Sequence, residues 1–278
     1  QTTGGYANVL PNPDVSWETS EQLDLGIDAR FLNSRLALTF DWYKKTTKDW
    51  LVQPQILGAL GMGTSGAPWI NGGAVENKGL EIGLTWNDKI SSDFTYGINT
   101  NATFNKNKVT EIKNSEGIIH GAASVLAQGT PEMYRAEVGQ PIGYFYGYKT
   151  SGIFQNQAEI DAWKAAGNGI LQGNVQPGDV KFADLNHDGV IDDKDKTNIG
   201  NPHPDFTLGF SFNMGYKGFD LSVTTYGAFG HQIAKSYRKF SDGRHENYTT
   251  DVFERWHGEG TSNKYPRLTS GSNANYMN

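Results

Sequence analysis

The residues from Asp184 to Asp195 carry the sharpest chemical signal in the chain. Oxygen-bearing side chains stand at the first, third, fifth, ninth and twelfth positions of this loop: Asp184, Asn186, Asp188, Asp192 and Asp195. Gly189 sits at the sixth position, where the chain must turn tightly, and Val190 offers its main-chain carbonyl at the seventh. That spacing is the one used by calcium loops of the EF-hand type. A hard cation takes roughly six to eight oxygens at about 2.4 Å, and one turn of chain supplies them here. Asp195 is shorter than the glutamate usual at the twelfth position. No helical pattern precedes Asp184, since Val180-Lys181-Phe182 reads as extended. The plain alternative is a solvated loop of Asx turns that holds no ion. A bound calcium would be weak, on the order of 10⁻⁴–10⁻³ M as in extracellular modules, and would pin a long loop rather than catalyse.

Other chemistry finds little purchase. The histidines, at 120, 187, 203, 231, 245 and 257, show no HExxH or paired metal spacing. No GxSxG elbow and no glycine-rich phosphate loop occurs. Cysteine is absent, so neither thiolate chemistry nor a disulfide framework is available. No enzymatic activity is predicted. Trp69, Trp163, Tyr237, Tyr248 and Trp256 lie in long polar segments. Of these, Trp69, Trp163, Tyr237 and Trp256 are the candidate contacts to substrate or partner. Packing within the loops is the competing reading, because large aromatics usually bury against something.

The elements that must position these residues are strands. Leu23, Leu25, Ile27, Ala29 and Phe31 alternate with Gln22, Asp24, Gly26, Asp28 and Arg30. The same period of two returns in Leu36-Leu38-Phe40-Trp42, Leu80-Ile82-Leu84-Trp86 and Phe94-Tyr96-Ile98. It appears again in Phe206-Leu208-Phe210-Phe212-Met214 and Phe219-Leu221-Val223. Each segment has one apolar and one polar face. Each runs about 10 residues, the length of a transmembrane β-strand. A charge on the lipid face costs roughly 2–4 kcal/mol at the midplane. Asp24, Asp28, Glu81 and Asp220 all fall on the polar register. Trp42, Trp86, Tyr96 and Tyr216 sit near strand ends on the apolar register, as an interfacial girdle would. A mean hydropathy of −0.55 is compatible with this, because only alternate residues would meet lipid. The net charge of −6 argues against a nucleic-acid partner, which would want a basic stripe.

Connections come in two kinds. Leu32-Asn33-Ser34, the run from Asn87 to Ser92, and Lys217-Gly218 are hairpin turns. Long polar or glycine-rich segments run from Lys44 to Lys78, onward from Lys106, from Gln155 to Pro204, and onward from His231. Short turns and long loops alternate, as in outer-membrane barrels with short periplasmic turns. If 23–31 runs inward, then 35–43 runs outward, 79–87 inward, 93–105 outward and 205–216 inward. An even number of strands must then lie between 105 and 205. The pair 130–138 and 143–154, hinged at Gly139-Gln140-Pro141, fills that place and brings the wall to about eight strands. The segment 155–204 then forms one long loop on the outer side. It holds a short helix capped by Asn156, with Glu159 at the capping-box position, Ile160 and Trp163 on one face, and Gly167 as the stop. A soluble β-sandwich or jelly roll would also alternate and remains the other fold reading.

Several blocks carry a family resemblance. Asn12-Pro13-Asp14-Val15-Ser16-Trp17-Glu18 and Val75-Glu76-Asn77-Lys78-Gly79-Leu80-Glu81-Ile82 resemble strand lead-ins of the SusC/RagA family of TonB-dependent transporters. Gly139-Gln140-Pro141-Ile142-Gly143 followed by Tyr146-Gly147-Tyr148 is similar to that family's next hairpin. Gly178-Asp179 and the run Ile199-Gly200-Asn201-Pro202-His203-Pro204-Asp205-Phe206 complete the order across the chain. The acidic loop, with Asp at its last position, also resembles the dockerin type.

The transporter resemblance implies an all-β fold: an antiparallel transmembrane barrel segment with long extracellular loops in the bacterial outer membrane. The whole barrel would have about 22 strands. It would import oligosaccharides or peptides, with a SusD-like surface lipoprotein as lid and a TonB complex pulling on an N-terminal plug. No plug or TonB-box segment is present in this stretch, and both ends read as internal to a longer chain. The expected neighbours are the remaining barrel and plug, the lipoprotein, substrate and membrane lipid. Asp24, Asp28, Asn99, Asn101 and Thr103 would line the lumen. The alternative function is a soluble extracellular carbohydrate-binding β module stabilised by calcium.

Overall fold

A computed structural model of the chain describes residues 10–53, 67–125, 131–234, 249–269 and Asn275. It divides into two compact units. The first takes Gln1–Ile119, Ala136–Gly143 and Asn201–Gln232; the second takes His120–Arg135, Tyr144–Gly200 and Ile233–Asn278. In chain order the strands begin with β1 (Thr19–Phe31), β2 (Leu36–Lys48), β3 (Leu51–Val52), β4 (Ile70–Asn71), β5 (Gly73–Ser91) and β6 (Phe94–Ile112). Next come β7 (Ile118–His120), β8 (Tyr134–Glu137), β9 (Tyr144–Tyr148) and β10 (Thr150–Ile153). After the helix α1 (Gln157–Ala165) follow β11 (Val180–Phe182), β12 (Lys196–Gly200), β13 (Phe206–Tyr216) and β14 (Phe219–Phe229).

The first unit is built on one antiparallel sheet in the order β1-β2-β5-β6-β13-β14. Tight turns set its register. Leu32, Asn33 and Ser34 all take positive φ, and Lys217 and Gly218 stand at φ 46° and 86°. Left-handed turn residues of this kind match the right-handed twist of the strands they join. Ile27 then faces Phe40, Phe40 faces Ile82, Ile82 faces Ala102 and Ala102 faces Leu208. A parallel row runs from Phe31 through Leu36, Trp86, Ile98 and Phe212 to Val223. The opposite registers hold Asp28, Thr39, Gly83, Asn101 and Gly209. A shift of one residue in any pair would mix the two faces.

Among the described residues, much of the apolar face is exposed. Leu25 is 60% exposed, Ile27 65% and Phe219 79%, with Phe31, Phe104, Phe210 and Leu221 also exposed. A sandwich would bury these side chains under a second sheet, so the soluble β-sandwich or jelly-roll reading is corrected. A contiguous apolar surface of this size marks contact with lipid or another protein. It ends in an aromatic and aliphatic row: Trp42, Leu80, Phe104, Phe206 and Phe229. Two residues further on, the same face carries Lys44, Lys78 and Lys106. Aromatics followed by lysines are what the edge of a hydrocarbon layer selects.

β5 and β6 run 19 residues each, well past the expected 79–87 and 93–105. Their far ends leave the alternating pattern because they enter a small core of Val75, Val109, Ile112 and Ala136, backed by Trp50, Ile119 and Ile142.

The wall count differs from the expected eight. Six strands form the sheet, and β6 pairs directly with β13. The parity condition is met by zero intervening wall strands. The segments 130–138 and 143–154 supply the short β8, β9 and β10 instead, in other sheets. Strands of 4 and 5 residues are too short to cross a hydrocarbon layer, which takes about 9–11 residues. β9 also buries Tyr144, Gly147 and Tyr148 within a five-residue run, so it has no lipid face to expose. In the second unit β9 pairs with β12, and β10 pairs with β11. Its core joins Tyr148, Val180, Phe182 and Ile191, with Leu171 packed against them.

Candidate functional site

The acidic loop lies in the second unit, and the helix before it sets the stage. Asn156 takes an extended N-cap conformation, and its Oδ1 accepts the Glu159 N–H at 2.9 Å. Glu159 reaches back to the Gln155 N–H at 2.6 Å, one residue ahead of the position a standard capping box would use. Burial raises the Glu159 carboxyl pKa, but the Gln155 N–H and the Lys181 ammonium outweigh it and hold it below the usual range. Ile160 is fully buried. Trp163 meets the edge of Phe154 at 5.9 Å, and its indole N–H donates to the Gly169 carbonyl at 3.1 Å. Gly167, at φ 80°, ends the helix and directs the chain to Gly169.

Gly169 is where the loop is gripped. Asp184 Oδ2 accepts the Gly189 N–H at 2.9 Å and the Gly169 N–H at 3.3 Å. A Cβ on Gly169 would stand 2.8 Å from main-chain atoms of Val190 and Ile191, so the close approach requires glycine. Within the loop, His187 and Gly189 take left-handed φ of 58° and 83°. Ile191 drops into the second unit's core and anchors the eighth position.

The other oxygen-bearing residues fold onto nearby backbone. Asn186 Oδ1 accepts the Asp188 N–H at 3.0 Å, Asp188 Oδ1 the Val190 N–H at 2.9 Å, and Asp192 Oδ1 the Lys194 N–H at 2.8 Å. Asp195 is wholly buried. Its Oδ1 accepts the Leu185 N–H at 2.8 Å and its Oδ2 the Asp192 N–H at 2.9 Å, which closes a capping box on the 3-10 turn. Burial raises the Asp184 carboxyl pKa, but backbone N–H groups from Gly189, Gly169, His187 and Asp188 prevail and hold it below the usual range. Its second oxygen, Oδ1, is buried with no hydrogen-bond partner. Among the described residues no three His, Cys, Asp or Glu side chains converge as a ready-made metal centre.

Sequence reading missed several supports of this site. The oxygen spacing assigns no role to Gly169 and none to Ile191 within the loop, although paired glycines after a helix are a visible signal of close backbone approach. Asp179 was quoted only as part of a motif. It is fully buried and accepts from Arg267 Nε at 2.7 Å, Asn275 Nδ2 at 2.8 Å and the Gln176 N–H at 2.9 Å. Two of those partners lie 88 and 96 residues away, so no local spacing announces them.

The candidate aromatics fall in different settings. Trp163 and Trp256 are half-buried; the Trp256 indole N–H donates to Gln155 Oε1 at 3.2 Å. Trp69, in the first unit, is 54% exposed. Tyr237 lies outside the described residues.

In the first unit, Asn99 faces Thr85 and Ser211, and Thr103 faces Glu81 and Thr207, all on the polar side of the wall. Near the short turns a concavity of about 760 Å³ is lined by Arg35, Asn87, Thr95, Asn213, Asp220 and Ser222 among others.

Comparison with known proteins agrees with this geometry. The family model described as TonB dependent receptor-like, beta-barrel, matches residues 1–224. The chain belongs to that family. A relative named TonB-dependent receptor P3, from Formosa agariphila, is 32% identical over 268 residues, covering 96% of this chain and 26% of the relative. TonB-dependent receptor SusC from Bacteroides thetaiotaomicron is 24% identical, covering 96% of this chain and 24% of its own length. Among solved structures, the RagAB peptide importer in its open-open state superposes with a TM-score of 0.67 at 20% identity, over 93% of this chain and 26% of that one. The chain therefore spans about a quarter of the length of the curated relatives it matches. As a TonB-dependent receptor barrel segment, its open six-stranded sheet is one arc of a larger wall.

Proposed function

We propose that this chain forms part of the wall and outward loops of an outer-membrane importer. The importer takes up oligosaccharides or peptides together with a SusD-like surface lipoprotein. A TonB complex acts through a plug carried elsewhere in the whole protein. The chain itself performs no covalent chemistry. The observation that carries the reading is the continuous, exposed apolar face of the six-stranded sheet, bounded by an aromatic row and then by lysines. The opposite face offers amides and hydroxyls, such as Asn99, Asn101 and Thr103, to a wet lumen. All long connections leave from the end of the sheet that carries the lysines, and the tight turns close the other end. In this reading the long connections, with the acidic loop among them, face the cell exterior.

The test uses the whole transporter in its native cell. This stretch has no cysteine, so once any cysteine elsewhere in the whole protein is replaced, single cysteines report cleanly. Asp161→Cys, on α1, reacts with a membrane-impermeant maleimide in intact cells, and Ser92→Cys, in the β5–β6 turn, reacts only after the outer membrane is permeabilised. The reverse pattern would overturn the orientation. Affinity purification in mild detergent recovers a SusD-like lipoprotein at matching stoichiometry. Recovery of a folded barrel alone would overturn the partnership.

A further inference from the structure

We propose that the loop Asp184–Asp195 is a calcium site, organised by a buried carboxylate oxygen that the fold leaves without a donor. An acidic run alone would not justify this. The deciding observation is Asp184, which is only 5% exposed. Its Oδ2 is fixed by the Gly189 and Gly169 N–H groups, while Oδ1 of the same carboxylate is buried and unpartnered. A buried acceptor left unsatisfied is destabilising, and more so when it is charged. A cation at the loop centre removes that cost.

Charge accounting points the same way. Asp184 and Asp195 are both buried, and no ion pair among the described residues reaches either. Lys196, next along the chain, is engaged with Asp193 at 2.6 Å. Buried charges are normally paired or bound to metal. The backbone already has the turn that a cation loop needs, with His187 and Gly189 left-handed and Ile191 anchored in the core. The ligands are Asp184, Asn186, Asp188, Asp192 and Asp195 side chains with the Val190 carbonyl. An all-oxygen set from a flexible loop favours calcium over the smaller, more rigidly octahedral magnesium. Three acidic side chains do not converge on one point. Binding therefore includes drawing Asp188 and Asp192 inward, which places the affinity on the order of 10⁻⁴–10⁻³ M. The site is independent of the transport reading, because it rests on the loop alone.

The test is hydrogen exchange in the full-length detergent-solubilised transporter, stripped with a chelator. The readout is the peptide spanning residues 184–195 in CaCl₂ at about 10 mM, in equal MgCl₂, and in NaCl of matched ionic strength. Calcium slows exchange there by roughly 10- to 100-fold, as linkage requires for that affinity. Magnesium and sodium change it less than about twofold. In Asp188→Asn, at an exposed position, or Asp192→Asn, at a half-buried one, most of the calcium effect disappears while barrel peptides stay protected. Absence of slowing with the barrel still protected, equal slowing by magnesium, or an undiminished effect in both variants each overturns the site.

Discussion

The Asp184 carboxylate accepts the Gly189 N–H at 2.9 Å, and that bond folds the acidic loop back on its first residue. Gly189 stands at φ 83°, and a Cβ there would lie 3.2 Å from the Gly167 carbonyl oxygen. Gly189→Ala places an L side chain in the left-handed region, at about 1–2 kcal/mol. Local opening of residues 184–195, read by hydrogen exchange, rises roughly 5- to 30-fold as that cost implies. An unchanged rate would mean the bond does not organise the loop.

The two faces of the wall respond oppositely to charge. Ile82 faces Phe40 and Ala102 in the apolar register, and Asn101 faces Gly83 and Gly209 in the polar one. Ile82→Lys lowers the stability of the lipid-embedded barrel by about 2–4 kcal/mol, depending on depth. Asn101→Lys, one strand away, changes it by less than about 1 kcal/mol. Refolding into lipid vesicles under urea measures both. Equal costs would contradict the assignment of faces.

Asp179 clamps the second unit across a long stretch of sequence. Arg267 and Asn275 both donate to its Oδ1. Asp179→Ala removes a fully buried charge and strands its partners, at about 3–5 kcal/mol. Limited proteolysis then cuts near Arg267 well before the wall is attacked. Wild-type resistance in the variant would show that other contacts hold this segment.

Acid should loosen the second unit. Burial raises the Glu132 carboxyl pKa, but the Arg135 guanidinium, His120 and the Gly121 N–H together outweigh it and depress it. A depressed folded-state value means the stabilisation is fully present above the unfolded glutamate pKa, about 4.3. It is lost as pH falls from there through the depressed folded value. Glu132→Gln flattens this acid limb in thermal unfolding of the second unit. A limb of the same steepness in the variant would assign it to other carboxylates.

The strand faces were legible because side-chain direction alternates strictly along a strand. Once Leu25, Ile27 and Phe31 define one side, Asp24 and Asp28 must define the other. Turn chemistry at Asn33-Ser34 and Lys217-Gly218 was equally local. The extensions of β5 and β6 were not legible, since Val75 and Val109 bury against protein rather than lipid and the alternation stops. The tyrosine-rich run at 144–148 looked like half a wall hairpin, yet it is buried within a smaller sheet.

The chain's own order of residues determined the period of the strands, the positions of the tight turns and the oxygen spacing of the loop from Asp184 to Asp195. Each of these depends on neighbours within about a dozen residues. Only the tertiary structure decided that β6 joins β13 directly across the intervening segment, and that Asp179 meets Arg267 and Asn275. It alone left one oxygen of Asp184 buried without a hydrogen-bond partner. Pairing and burial are set by which distant surfaces exclude solvent together, and no local spacing encodes that.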